Sequence, residues 1–218
     1  MKLLITAPAY YPDTSQLPLV LSAKRLGIPL ETYGDGAPQY AGWIKSHVDD
    51  LLAFLQQRTG EYDTVLFSDA SDAFFCAPLA EIEAKARHCA WGLTLATERD
   101  CYPDGSLAHH FFDQGTPWRY PNGGGFCGSI DKAIRALRLL QGYHSGNPQL
   151  RWHQAFAESN LQYLLDYGCL IFQTMSGNAG DVVMDGGRPR NTLTGAYPCV
   201  VHFNGDHKWE EWYGRMFP

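Results

Sequence analysis

The chain has 218 residues, 45% of them hydrophobic and 18% charged, with a formal net charge of −6. This is an ordinary globular balance, long enough for a sizeable core. No basic block appears, so a nucleic-acid partner has no electrostatic support.

The first apolar run, Leu3-Leu4-Ile5-Thr6, follows a single lysine. It is too short for a signal-peptide core or a membrane helix and predicts the first strand. No membrane span and a cytoplasmic location are therefore expected. A loop rich in Pro and Tyr follows at residues 7–13, where Tyr10 and Tyr11 could stack on a nucleotide base or simply pack. Residues 17–26 predict a helix stopped by Gly27, and residues 29–33 a second short strand. After a loop containing Gly and Pro, Ile44, Val48, Leu51, Leu52 and Leu55 recur at helical spacing. Lys45 lies in the first turn of that helix. It could meet a phosphate there or be a solvated surface lysine.

Thr64-Val65-Leu66-Phe67-Ser68-Asp69-Ala70-Ser71-Asp72 is the most informative stretch. An apolar run between polar residues reads as a strand buried in a parallel sheet. Ligands in open α/β sheets bind just beyond the carboxyl ends of such strands. Asp69 and Asp72 at that end suit a hard divalent cation holding a diphosphate, although Asp and Ser also favour ordinary turns.

Pro78 predicts the start of a helix that runs to about His88, and residues 89–97 predict a strand followed by a polar loop, residues 98–105. His109 and His110 read as loop histidines, because adjacent side chains do not converge in regular structure. Tyr120-Pro121-Asn122-Gly123-Gly124-Gly125-Phe126-Cys127-Gly128 carries three consecutive glycines. They permit positive φ and close approach of the backbone to a ligand, or a flexible turn. The spacing matches neither the dinucleotide nor the P-loop signature. Helices are expected over residues 130–141 and 151–167, and strands over residues 169–173 and from Cys199. A long loop or short hairpin is expected over residues 178–194. Six cysteines, at 76, 89, 101, 127, 169 and 199, form no C-x-x-C pair, which favours buried reduced thiols over a disulfide framework or zinc site.

Four of these stretches stand in one order: residues 66–72, residues 120–128, Ile171-Phe172-Gln173, and Val201-His202-Phe203-Asn204-Gly205-Asp206-His207-Lys208. In that order they resemble the glycosyltransferase domain of the procollagen lysyl hydroxylase/glucosyltransferases, which is related to the collagen galactosyltransferases. The resemblance implies a single α/β domain of GT-A fold over residues 1–218, a Rossmann-like mixed sheet flanked by helices. Residues 1–100 would be the nucleotide-sugar half and residues 101–218 the acceptor half.

The resemblance further implies a UDP-sugar donor, Mn²⁺ and transfer of a hexose to an acceptor hydroxyl on a glycan or protein. It names Asp69, Asp72 and His202 as metal ligands, and Gly205 and Lys208 as β-phosphate contacts. Lys45 matches the family's lysine after its Gly-rich loop, and Thr6 a contact to base or ribose. For an inverting mechanism Glu158 is the candidate acceptor base, with Asn122 and Asp100 next, or else a solvated helix carboxylate; a retaining mechanism would need no base in that place.

The chain also departs from the family. Asn122-Gly123-Gly124 stands where the family has Asn-Ser-Gly, and Tyr102 where it has Trp. The family's Asp-Asp-Gln or Ser-Asp-Gln before a Leu is read here as Glu158-Ser159-Asn160. A nucleotide-sugar-binding pseudoenzyme and a metal-dependent hydrolase are the alternative readings.

Overall fold

Leu4 and Ile5, and likewise Val65 and Leu66, are consecutive buried residues belonging to different apolar clusters. Side chains alternate across a strand, so these strands must be covered on both faces. The computed structural model shows that arrangement, and it describes residues 1–34, 42–158, 163–177, 180–205 and 209–218.

The chain runs β1 (Leu3–Pro8), α1 (Pro18–Leu26), β2 (Leu30–Tyr33), a π-helical segment (Lys45–Asp49), α2 (Asp50–Arg58), β3 (Thr64–Ser68), β4 (Ala73–Phe75) and α3 (Leu79–Cys89). It continues through β5 (Leu93–Glu98), a 3-10 turn (Gly105–His110), β6 (Tyr120–Ser129), α4 (Ile130–Gln141), α5 (Pro148–Glu158), β7 (Tyr163–Leu165) and β8 (Phe172–Thr174). Last come β9 (Val182–Asp185), β10 (Arg188–Asn191), β11 (Val200–His202) and α6 (Trp209–Met216).

The main sheet has the order β2-β1-β3-β6-β5-β7. β6 runs antiparallel to both β3 and β5, and the other neighbours are parallel. β3 and β5 therefore point the same way, and their carboxyl ends lie on one edge of the sheet. Residues of α2, α4 and α5 cover one face and residues of α1 and α3 the other. A smaller sheet, β4-β11-β8, adjoins this edge, with α6 packed against its outer residues Phe74 and Phe203.

Four sequence expectations change, the smallest being the strand expected over residues 169–173, which is Phe172–Thr174. The glycine stretch is no turn; it lies inside β6, where Gly125 pairs with Ser68 of β3 and residues 123–125 form an irregularity in the pairing with β5, between the pairs Asn122–Ala96 and Phe126–Leu95. Its glycines fit close neighbours: a Cβ on Gly125 would lie 2.8 Å from the Phe172 ring, and one on Gly128 2.8 Å from Leu93 Cα. The helix expected over residues 151–167 starts earlier, because Asn147 Oδ1 caps it by accepting from Gln149 N and Leu150 N at 2.8 and 3.2 Å. Its described part reaches Glu158, and Tyr163–Leu165 pairs with β5 as an edge strand. The strand expected from Cys89 begins only at Leu93, Cys89 being the last residue of α3. Residues 178–194 contain a hairpin, β9 and β10, turned by Gly186 and Gly187 at φ 57° and 82°. All six cysteines are free, five of them buried and Cys101 half-buried.

Candidate active site

β3 delivers Asp69 and Asp72 to the carboxyl edge of the sheet. β4 follows at once and pairs antiparallel with β11, in a register that sets His202 opposite Ala73. This pairing brings together residues 130 positions apart in the chain. One donor atom each from Asp69, Asp72 and His202 lies within 4.8 Å of the others. His202 Nε2 is 3.5 Å from Asp69 Oδ2 and 3.3 Å from Asp72 Oδ1. Its Nδ1 is 3.2 Å from Asn122 Oδ1, which fixes the proton on Nδ1 and turns Nε2 toward the carboxylates. Burial opposes a charge on this imidazole, but the Asp72 and Asp69 carboxylates outweigh it and hold the pKa at about 9.

The donor set suits a divalent cation such as Mn²⁺, with two carboxylate oxygens and one imidazole nitrogen. The cradle around it is tight. Asp69 N donates to Gly124 O at 2.9 Å, and Gly124 N donates to Asn122 Oδ1 at 3.0 Å. A Cβ on Gly124 would lie 2.6 Å from Asp69 Oδ2 and 2.8 Å from His202 Nδ1. Gly124→Ala is therefore expected to push two of the three donors apart, with strain of roughly 1–3 kcal/mol. A manganese titration beside a thermal melt checks this: metal affinity should fall while the cooperative melt persists.

A cleft of about 640 Å³ opens at this edge. Tyr10, Tyr11 and the half-exposed Trp43 form an aromatic wall, and Tyr102 and Asp100 line it from the loop after β5. Glu98, the last residue of β5, lines the cleft and is only 5% exposed. Three amides surround its carboxylate. Asn204 Nδ2 and Asn122 Nδ2 donate to Oε2 at 2.6 and 3.1 Å, and Gln149 Nε2 donates to Oε1. Burial outweighs these hydrogen bonds and raises the Glu98 pKa to about 7. Gln149 sits at the start of α5, so the amino end of that helix faces the cleft.

Of the residues singled out from the sequence, Asp69, Asp72, Asn122, His202, Gly205 and Asp100 line this cleft. Thr6 is fully buried within β1 and is not among the lining residues. Lys45 is not among the lining residues; it pairs with Asp50, which also accepts from the hydroxyl of the lining residue Tyr10. Glu158 is exposed at the opposite end of α5 from Gln149, nine residues and about 13 Å along the helix. Lys208, Ser159 and Asn160 lie outside the described residues.

Glu98, Gln149 and His47 were not singled out in the sequence, and Asn204 entered only as part of the motif of residues 201–208. Glu98 carried a usable signal, since it ends a strand and precedes a polar loop. Gln149 and His47 have no local signature.

The family model described as "PLOD GT domain" matches residues 13–211. The multifunctional procollagen lysine hydroxylase and glycosyltransferase LH3 of Rattus norvegicus is 26% identical over 181 residues, 79% of this chain and 24% of that protein. Procollagen-lysine,2-oxoglutarate 5-dioxygenase 1 of Mus musculus is 28% identical over 192 residues, 84% of this chain and 26% of that protein. An uncharacterized protein of Acanthamoeba polyphaga mimivirus is 31% identical over 117 residues, 53% of this chain and 25% of that protein. The chain thus spans about a quarter of the length of these relatives.

Proposed function

The chain belongs to the PLOD glycosyltransferase-domain family, and from that membership we propose that it moves a hexose, galactose or glucose, from a UDP-sugar to an acceptor hydroxyl with the help of Mn²⁺. Its fold is a GT-A-like α/β domain. The observation that carries the proposal is the convergence of Asp69, Asp72 and His202 on the sheet edge that also carries Glu98. Asp69, Asp72 and His202 Nε2 would hold the cation, which when bound neutralises charge developing on the departing diphosphate. Asn122 keeps the His202 ring in the ligating tautomer. Gly205, exposed at φ 80°, leaves its backbone open to a phosphate. Lys208 is kept as the proposed cationic contact to the same phosphate. The aromatic wall of Tyr10, Tyr11 and Trp43 suits the face of a base or sugar ring.

For the acceptor side we put Glu98 in place of Glu158. Glu98 is buried in the cleft, with a pKa near 7 suited to taking up a hydroxyl proton. Asn147-Pro148-Gln149, which precedes Leu150 and borders the cleft, is the better counterpart of the family's Asp-Asp-Gln segment. The carboxylates of that segment are therefore replaced here, which supports a different acceptor. The same replacement supports the second reading, a nucleotide-sugar-binding pseudoenzyme.

The division into a donor half, residues 1–100, and an acceptor half, residues 101–218, stays a proposal, with His202 crossing to the donor side. Among the described residues no helix is long and apolar enough to cross a membrane. Six free thiols support a reducing, cytoplasmic setting.

The experiment is a panel of UDP-sugars assayed for UDP release, with Mn²⁺ or with chelator, with and without candidate acceptors. Release from at least one donor that depends on Mn²⁺ and rises with an acceptor is expected. Tight UDP binding with no release from any donor would favour the pseudoenzyme, and no UDP binding at all would overturn both readings.

A further inference from the structure

We infer that His47 is a positioning residue for the metal site: its Nε2–H holds Asp69 Oδ1 and so leaves Asp69 Oδ2 to face the cation. This rests on the proposed metal role of Asp69.

His47 Nε2 lies 2.7 Å from Asp69 Oδ1. A carboxylate has no proton to give, so the ring nitrogen is the donor, whichever charge the ring carries. The other ring nitrogen, Nδ1, is 2.7 Å from Ser46 Oγ, which orients the ring from behind. The ring also meets Phe67 edge-on, with centroids 5.9 Å apart. His47 is thus held on three sides: by Ser46, by Phe67 of β3 and by the carboxylate.

The two oxygens of Asp69 are divided between two histidines. Oδ1 faces His47 at 2.7 Å, and Oδ2 faces His202 at 3.5 Å. A carboxylate with one oxygen tied to a fixed donor presents the other in a single direction. Hydrogen-bonded partners of this kind orient metal ligands, and removing them typically costs about 10–100-fold in metal affinity.

The segment carrying His47 is locally irregular. Lys45–Asp49 is π-helical, set between α-helical residues at Trp43 and Ile44 and the regular helix α2 from Asp50. Such insertions concentrate at functional positions. Here the insertion puts His47 within reach of Asp69, while Val48 and Leu51 remain in the core.

The test compares two amides at position 47. The amide nitrogen of glutamine reaches about as far from the backbone as Nε2 of histidine, whereas that of asparagine stops short. Mn²⁺ binding is followed by the electron paramagnetic resonance signal of the free ion, with and without UDP, alongside a thermal melt. His47→Asn is expected to bind Mn²⁺ about 10–100-fold more weakly, and His47→Gln to stay within a few-fold of the parent chain, with similar melting temperatures. His47→Leu, which keeps the apolar contact with Phe67 and has no donor, should match the asparagine variant. The inference is overturned if asparagine or leucine binds the ion as tightly as histidine, or if glutamine loses as much as asparagine. A parent chain that takes up no Mn²⁺ even with UDP overturns the metal reading itself, an outcome separate from these.

Discussion

Asp72→Ala is expected to abolish Mn²⁺-dependent transfer and leave the fold largely intact. The carboxylate of Asp72 stands 3.3 Å from His202 Nε2, and its loss removes one of three donors from the proposed cation site. The structural duty of this residue lies mainly in its backbone: Phe203 N donates to the Asp72 carbonyl at 2.7 Å, a bond that alanine keeps. Loss of the ion removes several kcal/mol of stabilisation from the departing diphosphate. At about 4 kcal/mol that is a fall of roughly 10³-fold in rate. Initial rates at saturating UDP-sugar across a manganese series, with a circular-dichroism melt of each variant, measure both parts. A folded variant that retains the parent's rate would remove Asp72 from the site.

The second large effect belongs to Glu98. Glu98→Gln should cut transfer by about 10²–10⁴-fold, the usual consequence of losing a general base. UDP and Mn²⁺ binding should persist, because Glu98 is not one of the three proposed donors and its hydrogen-bonded link to His202 runs through Asn122, which glutamine can keep. The pH profile carries a sign that can be worked out in advance. A base acts when deprotonated, and burial raises the Glu98 pKa from its ordinary value of 4.5 to about 7. In the parent chain kcat/KM should therefore fall about tenfold per unit as pH drops below 7, and this limb should vanish in the glutamine variant.

Linkage gives a matching stability effect. The folded chain holds this proton more tightly than the unfolded chain does. The contribution of Glu98 is present in full below about 4.5 and is lost as pH rises through 7. Glu158→Gln serves as the control and should transfer at the parent's rate, since that carboxylate is exposed at the far end of α5. A reversed result, with transfer lost in the Glu158 variant and kept in the Glu98 variant, would put the acceptor on the other end of that helix.

Several features of this protein are legible in the residues alone. The run at Thr64–Ser68 is apolar on both faces and ends in two aspartates. That pattern reads as a buried strand and marks its end as a candidate ligand site, because strand direction and side-chain alternation are local properties. The Pro18–Leu26 helix before Gly27 and the apolar stripe of α4 are equally local, set by capping and by the 3.6-residue period. The order of the motifs was enough to suggest the family.

Other features were decided only by pairing between distant segments. Nothing near Tyr120 announces a strand, since glycine and proline disfavour one. β6 exists because β3 and β5 supply hydrogen bonds on both sides, and because Phe172, Gly92 and the Asp69–His202 pair leave no room for side chains there. Tyr163–Leu165 is a strand because β5 offers it an edge, although Leu161, Leu164 and Leu165 are spaced as a helix would space them. The proposal of Glu98 in place of Glu158 rests on geometry of the same kind. Both are carboxylates at the end of an element, and the difference lies in which end faces the cleft. That is set by the antiparallel insertion of β6, which aligns β5 with β3, and by the Asn147 cap, which turns the amino end of α5 inward. His47 had no local sign at all: its partner Asp69 is 22 residues away, and only the packing of the π-helical segment against β3 brings the two within 2.7 Å.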